Sequence, residues 1–409
     1  MKIAFKSFGC KLNQYEVQAL REGFEKFGYS EVSPSEPSDY YVLNTCTVTA
    51  GADSDARAVI RGFHRLNENA KIIVTGCYAQ ADAAALEAMP GVYRVVGNLQ
   101  KNQILHLVTG AEDAREEESP FFKNGITAFD DYDKAFVKVQ DGCNYFCSFC
   151  KIPYVRGRLV SRVKEDILKE VQSLIDSGFK EIILSGVCLG SYGRDFEHIP
   201  DLVRRDASLA DHHAAYKGNR LTDLIKEALQ IPGDWRLRLS SIDPRDTPLE
   251  IVRLMNSNPK LCRHLHLSLQ SGSDKILTAM HRGYSASEYR ELVDQMRQIV
   301  PDIGLTTDVI VGFPGEDEES FKETLRFLKG IQFHHIHFFP YSERPMTKAA
   351  DLPDRLPGNI IKERLRLAQA EFKDQQQAIL QKFHGQSFRV LAESKVLEGD
   401  FRTGFTDHY

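Results

Sequence analysis

Hydrophobic and polar positions along this chain follow two periods that take turns. Short β-type runs bounded by turn residues occur at KIAFKSF (2–8), YYVLN (40–44), KIIVTG (71–76) and VYRVV (92–96). Between them the spacing becomes helical, as in NQYEVQALREGFEKFG. Strand and helix in that order predict a parallel sheet with crossover helices over residues 1–110. The next stretch, AEDAREEESPFFKNGITAFDDYDK (111–134), is acidic, carries Pro and Gly, has no clear period and reads as a linker.

From 135 the alternation restarts with six strand candidates: AFVKVQ (135–140), EIILSG (181–186), WRLRLSS (235–241), HLHLSLQS (264–271), LTTDVIVGF (305–313) and HHIHFF (334–339). Helical stretches such as KEDILKEVQSLIDSG and ASEYRELVDQMRQIV separate them. Six βα units predict an incomplete barrel over 135–383, since a closed one needs eight. Residues 187–221, rich in His, Asp and Arg, read as an insertion, and IIKERLRLAQAEFKDQQQAILQKFHG as a long closing helix. The end of the chain, 384–409, predicts a few strands and turns. Two or three strands are marginal alone, so this piece is expected either to pack on the rest or to be a domain cut short. The fold class is α/β throughout, with that small β piece appended.

Composition adds bounds. A chain of 409 residues is too long for one ordinary core. Its 42% hydrophobic and 27% charged residues are ordinary for a soluble globular protein. No stretch approaches the roughly 20 apolar residues of a membrane span, and MKIAFKSFGCKLNQYE lacks a signal-peptide core. The expectation is a cytoplasmic protein without a membrane partner. A net charge of −5 does not announce a nucleic-acid binder, but leaves a local basic surface open. Eight cysteines in such a chain point to metal or catalysis rather than disulfides.

DGCNYFCSFC places Cys143, Cys147 and Cys150 in a C-x3-C-x2-C cluster just after a strand. Three thiolates in so short a segment can hold three irons of a [4Fe–4S] cube and leave the fourth open for S-adenosylmethionine (SAM). The competing readings are structural zinc and coincidence. Zinc sites usually complete four ligands from paired cysteine elements, and no second pair follows. Phe149 is expected near the adenine of SAM, or else as packing.

Cys10, Cys46 and Cys77 are far apart in sequence, yet each follows one of the three best N-terminal strands (KSFGC, LNTC, VTGC). Ligands of open parallel sheets bind outside the carboxyl ends of the strands. Three thiolates meeting there would hold a second cluster, although each alone is more often a small buried hydrophobe. Cys188 and Cys262 fit neither set and read as packing. Ser185 and Gly186, Ser240 and Ser241, Gln270, Ser271 and Gly272, and Gly312 close successive barrel strands, where a SAM pocket is expected. KIPYVRGRLVSRVK (151–164) is basic without an acid, so Arg156, Arg158 and Arg162 are candidates to grip the phosphate backbone of an RNA or the SAM carboxylate, against the alternative of a solvated loop.

With these motifs in place, the sequence resembles the radical SAM methylthiotransferases over essentially its whole length. FGCKLNQYE, LNTCTVT and VTGCYAQ are similar to that family's auxiliary-cluster motifs. GCNYFCSFCKIPYVRGR, HLHLSLQSGSDKIL, MHRGY, DVIVGFPGE and PYSERPMTKAA match further segments. The resemblance implies an N-terminal domain (1–110), a radical SAM domain (135–383) and the start of a TRAM-like β domain (384–409). It implies two [4Fe–4S] clusters, one on Cys10, Cys46 and Cys77, and a catalytic one on Cys143, Cys147 and Cys150. One SAM would methylate a sulfur and another would yield the radical that opens C2 of an adenine for the methylthio group. Of three branches, KVQDGCN and GVCLGSYG look most like the one acting on N6-threonylcarbamoyladenosine at position 37 of tRNA, in the anticodon loop. Cys188 stands where that branch usually has Asn. The siblings modify isopentenyladenosine in tRNA or an aspartate of a ribosomal protein; a non-catalytic iron–sulfur RNA-binding module is the remaining alternative. The reaction also needs an electron donor and a sulfur source, whose identities the sequence leaves open.

Overall fold

The computed structural model describes residues 1–115, 119–129, 133–198, 220–396 and 401–409. Residues 199–219 of the expected insertion, and parts of the expected linker, lie outside these. The chain divides into two compact units. The first comprises Met1–Asp131, Phe136–Tyr145 and Cys150–Ser177; the second comprises Tyr132–Ala135, Phe146–Phe149 and Gly178–Tyr409.

The first unit is built on a five-stranded parallel sheet. Its strands are β1 (Lys2–Ser7), β2 (Ser30–Glu31), β3 (Tyr40–Thr45), β4 (Lys71–Gly76) and β5 (Val92–Val96), in the order β2-β1-β3-β4-β5. Central β3 is buried along its whole length, as a parallel strand covered on both faces must be. Helix Ala50–Leu66 buries Ala56, Ile60 and Phe63, one face at helical spacing, and the Phe63 ring stacks on Tyr41 with centroids 4.2 Å apart. Strand β6 (Ala135–Asp141) pairs antiparallel with the short β7 (Val160–Ser161).

Residues 119–129 of the segment read as a linker are instead packed into this unit. Phe122, Ile126 and Phe129 are buried, the Ile126 amide donates to Glu170 at 2.7 Å, and Thr127 donates to Glu22. Its acidic composition concealed three apolar anchors.

In the second unit, β8 (Glu181–Gly186), β9 (Arg236–Leu239), β10 (His264–His266), β11 (Gly304–Val311) and β12 (His335–Pro340) follow one another as parallel neighbours. With β6, all six strands expected from the periodicity are present. β10 is shorter than HLHLSLQS suggested, because only isolated bridges continue it, Ile242 with Leu267 and Gln270 with Val309. Helix Gly358–Gln381 closes along the edge strand β12, with Phe372 against Phe338 at 5.7 Å.

The last strands, β13 (Leu391–Val396) and β14 (Arg402–Phe405), form an antiparallel pair. The tail beyond them packs on the N-terminal ends of the barrel strands. Arg236 and Arg238 donate to the carbonyls of Phe405 and Thr406 at 2.8 and 2.6 Å, and His408 meets Asp302 at 2.9 Å. Among the described residues, no helix is long and apolar enough to cross a membrane.

Candidate functional site

In the first unit, parallel register aligns Ser7 with Asn44 and Thr45 with Gly76, so β1, β3 and β4 end side by side. Cys46 and Cys77 follow β3 and β4 directly, and Cys10 follows β1 after a tight turn. That turn needs glycine: Gly9 has φ +93°, and a Cβ there would sit 2.8 Å from Cys46 Cβ. Asn13 holds the two loops together, its amide donating to the carbonyls of Phe8 at 2.6 Å and Thr45 at 3.0 Å. The thiols sense one another. Burial pushes Cys46 up to about 11, and the Cys77 and Cys10 thiols add to the rise. Burial also raises Cys77, opposed by the positive charge of Arg156. A metal ion reverses such a rise, because coordination deprotonates a thiol outright.

Behind these thiols lies a buried ionic network. Arg156 reaches Asp141 at 2.8 Å, Glu16 at 3.1 Å and the Asn13 side-chain oxygen at 2.5 Å. Lys138 pairs with Glu16 at 2.7 Å and with Asp141 at 2.6 Å, and Lys101 pairs with Glu16 as well. Three cations thus face two carboxylates, and the surplus positive charge lies where the thiolates would be negative.

This corrects the reading of the basic run. Arg156 is 4% exposed and Arg162 6%, the latter paired with Glu170 and 3.3 Å from the Tyr15 hydroxyl. Neither side chain is available to a phosphate backbone. Arg158 alone of the three is exposed.

Cys143, Cys147 and Cys150 follow β6 and are each partly exposed; none of the eight cysteines is in a disulfide. Two donors already address their sulfurs. The Tyr145 amide lies 3.4 Å from Cys143 Sγ, and within the second unit Arg282 Nη1 lies 3.4 Å from Cys147 Sγ. Arg282 is itself held by Asp243 at 2.9 Å and by the Ser268 carbonyl at 2.8 Å. It belongs to MHRGY, a segment whose composition alone assigns no role. Cysteine thiolates hold iron–sulfur clusters and hydrogen bonds to their sulfurs tune the potential, so the donor set fits.

The residues expected around SAM all lie in the second unit. Phe149 packs against the buried cluster of Ile276, Met280, Phe313 and Ala349. Ser185 and Gly186 end β8, Ser241 lies just past β9, and Gly312 follows β11 with its amide donating to Glu316 at 3.0 Å. Gln270 takes a left-handed φ of 78°, a strained backbone for a residue other than glycine. Ser240, beside Ser241, buries its hydroxyl without a hydrogen-bond partner among the described residues. A buried orphan hydroxyl at a strand end fits a polar ligand there. Cys188 is buried with its sulfur 3.4 Å from both Ser191 and Asp246 side-chain oxygens. Cys262 is buried, and burial pushes its thiol up to about 12.

Comparison with known proteins decides the family. The Radical SAM superfamily model matches residues 137–328, and that of uncharacterized protein family UPF0004 matches 2–97. The threonylcarbamoyladenosine tRNA methylthiotransferase MtaB of Aquifex aeolicus is 38% identical over 98% of this chain and 95% of its own. This chain belongs to the radical SAM methylthiotransferase family. MtaB of Bacillus subtilis is 35% identical over 100% of the chain and 89% of its own. The tRNA-2-methylthio-N(6)-dimethylallyladenosine synthase of Ehrlichia canis is 34% identical over 95% and 87%. In fold, the chain is similar to the radical SAM methyltransferase TsrM of Kitasatospora setae, with TM-score 0.57 at 15% identity, covering 85% of this chain and 76% of that one. Family membership implies a [4Fe–4S] cluster and SAM as cofactors and tRNA as substrate.

Proposed function

We propose that this chain is a cytoplasmic enzyme adding a methylthio group to C2 of N6-threonylcarbamoyladenosine at position 37 of tRNA. The observation that carries the reading is the full-length similarity to the MtaB enzymes, 38% over 98% of the chain. In this reading Cys143, Cys147 and Cys150 hold the cluster to which SAM binds, and Cys10, Cys46 and Cys77 hold a second. When bound, the first cluster supplies the electron that cleaves SAM, and the second an iron site for sulfur. Arg282 keeps a positive charge on Cys147, and Arg156 places one near Cys77 and Cys46. Phe149, Ser185, Gly186, Ser241, Gln270 and Gly312 would bound the SAM pocket. An electron donor and a sulfur source complete the system.

RNA-binding proteins read single-stranded loops, and chemistry on a base requires it to leave the stack, both of which the anticodon loop permits. Arg158 is the exposed cation of the basic run. Arg158→Ala should weaken tRNA binding and reduce the slope of log affinity against log salt by about 1. An unchanged slope, measured by fluorescence titration between low and moderate salt, removes Arg158 from the RNA contact.

The test of substrate is turnover of anaerobically reconstituted protein on tRNA carrying either modified adenosine. Nucleosides from digested tRNA are then identified by mass spectrometry. The expected product is the 2-methylthio derivative of threonylcarbamoyladenosine. Product from isopentenyladenosine alone would assign the chain to the sibling branch.

A further inference from the structure

We propose that His266, Asp308 and His337 form a binding site for one divalent transition-metal ion. They stand on three adjacent parallel strands of the second unit, β10, β11 and β12. Asp308 is in direct register with His337, and His266 is in register with Thr306, two residues before Asp308. Residues two apart on a strand share a face, so the three side chains emerge together. One ligand atom from each lies within 4.8 Å of the others. Ligands each about 2.1 Å from one tetrahedral ion lie about 3.4 Å apart, and His266 Nε2 and Asp308 Oδ2 already stand at 3.1 Å.

The supporting contacts are those of a ligand sphere. His266 Nδ1 meets the Thr306 hydroxyl at 2.9 Å, which turns Nε2 toward Asp308 Oδ2 at 3.1 Å. That Nε2 is buried and makes no hydrogen bond of good geometry among the described residues. Metal-bound histidines are oriented in this way, through a hydrogen bond on the ring nitrogen remote from the ion. Thr306 also contacts His264 Nε2 at 3.0 Å, so one hydroxyl orients two imidazoles. Access is present too. A cavity of about 380 Å³ runs along β12 against helix Gly358–Gln381, lined by His335, His337, Phe372, Lys373 and Gln376.

Two imidazoles and one carboxylate suit zinc or ferrous iron and leave positions for water or a ligand oxygen. Without a thiolate, this site does not select for iron–sulfur chemistry. The inference is independent of which tRNA base is modified.

Cobalt(II), a spectroscopic stand-in for such ions, tests it. Cluster-loaded protein is mixed anaerobically with cobalt, desalted, and analysed for cobalt and iron, with the ligand set read from the cobalt absorption spectrum. One cobalt per chain, with a nitrogen and oxygen signature, is expected beyond the cluster iron. Asp308→Asn and His337→Ala should each lose it while keeping their iron, which reports that they have folded. Thr306→Val, which removes only the orienting hydroxyl, should weaken binding about 10–100-fold. No retained cobalt in the unaltered protein overturns the site. So does undiminished retention in Asp308→Asn and His337→Ala.

Discussion

Cys46→Ala should abolish the methylthiolated nucleoside while cleavage of SAM to 5′-deoxyadenosine persists, and Cys143→Ala should abolish both. The asymmetry follows from where the two thiols stand. Cys143 begins the C-x3-C-x2-C segment after β6, to which the anchoring of SAM is assigned. Cys46 follows β3 in the five-stranded sheet, beside Cys10 and Cys77. Removing one of three ligands from either set leaves too few thiolates to hold a cube with one open iron. Reconstituted protein should carry about eight irons, and the Cys143/Cys147/Cys150 triple alanine variant about four. Iron analysis and chromatography of both products check this together. If Cys46→Ala still makes the methylthiolated nucleoside, the N-terminal thiols have been misassigned. If the intact protein holds only one cluster's worth of iron, the second cluster is wrong.

Which parts could be read from the sequence follows from how far their causes extend along it. The strands announce themselves within a window of six or eight residues, because alternation and turn residues are local. Cys10, Cys46 and Cys77 became a set only through their shared placement after strands, and the register of β1, β3 and β4 supplies the reason. Arg156 and Arg162 misled because their local window, 151–164, holds no acid. The partner Glu16 is 140 residues upstream of Arg156, on helix Lys11–Lys26, a stretch that local spacing marks only as helical. The stretch 111–134 misled for the complementary reason. Its many acids outweighed Phe122, Ile126 and Phe129, whose burial depends on a surface elsewhere in the chain. Buried charge is thus the feature hardest to read, since each ion is intelligible only beside its partner.

That same buried network yields the second large effect. Glu16→Gln should destabilise the first unit by about 3–5 kcal/mol at neutral pH, the cost of breaking a buried ion network by removing one charge. Glu16 is 2% exposed and meets Lys101, Lys138 and Arg156. Its neutral replacement leaves three buried cations against Asp141 alone. Burial by itself would push the Glu16 carboxyl up, but the three cations together hold it well below the usual range. A carboxylate whose pKa is lowered on folding contributes stability above its unfolded value, about 4.3, and loses it as pH falls through the folded value. The variant and the unaltered protein should therefore differ fully at pH 7 and converge on strong acidification, where the native glutamate is itself neutral. The sole tryptophan, Trp235, lies in the second unit, so amide hydrogen exchange is the better measure. Exchange from β1, β3 and β4 should quicken by more than two orders of magnitude at about 3 kcal/mol, while β11 and β12 keep their protection. Equal protection of β3 in the two proteins at pH 7 would show that the network leaves Glu16 dispensable. The surplus cation facing the thiols would then have to be maintained by Asp141 and Asn13 alone.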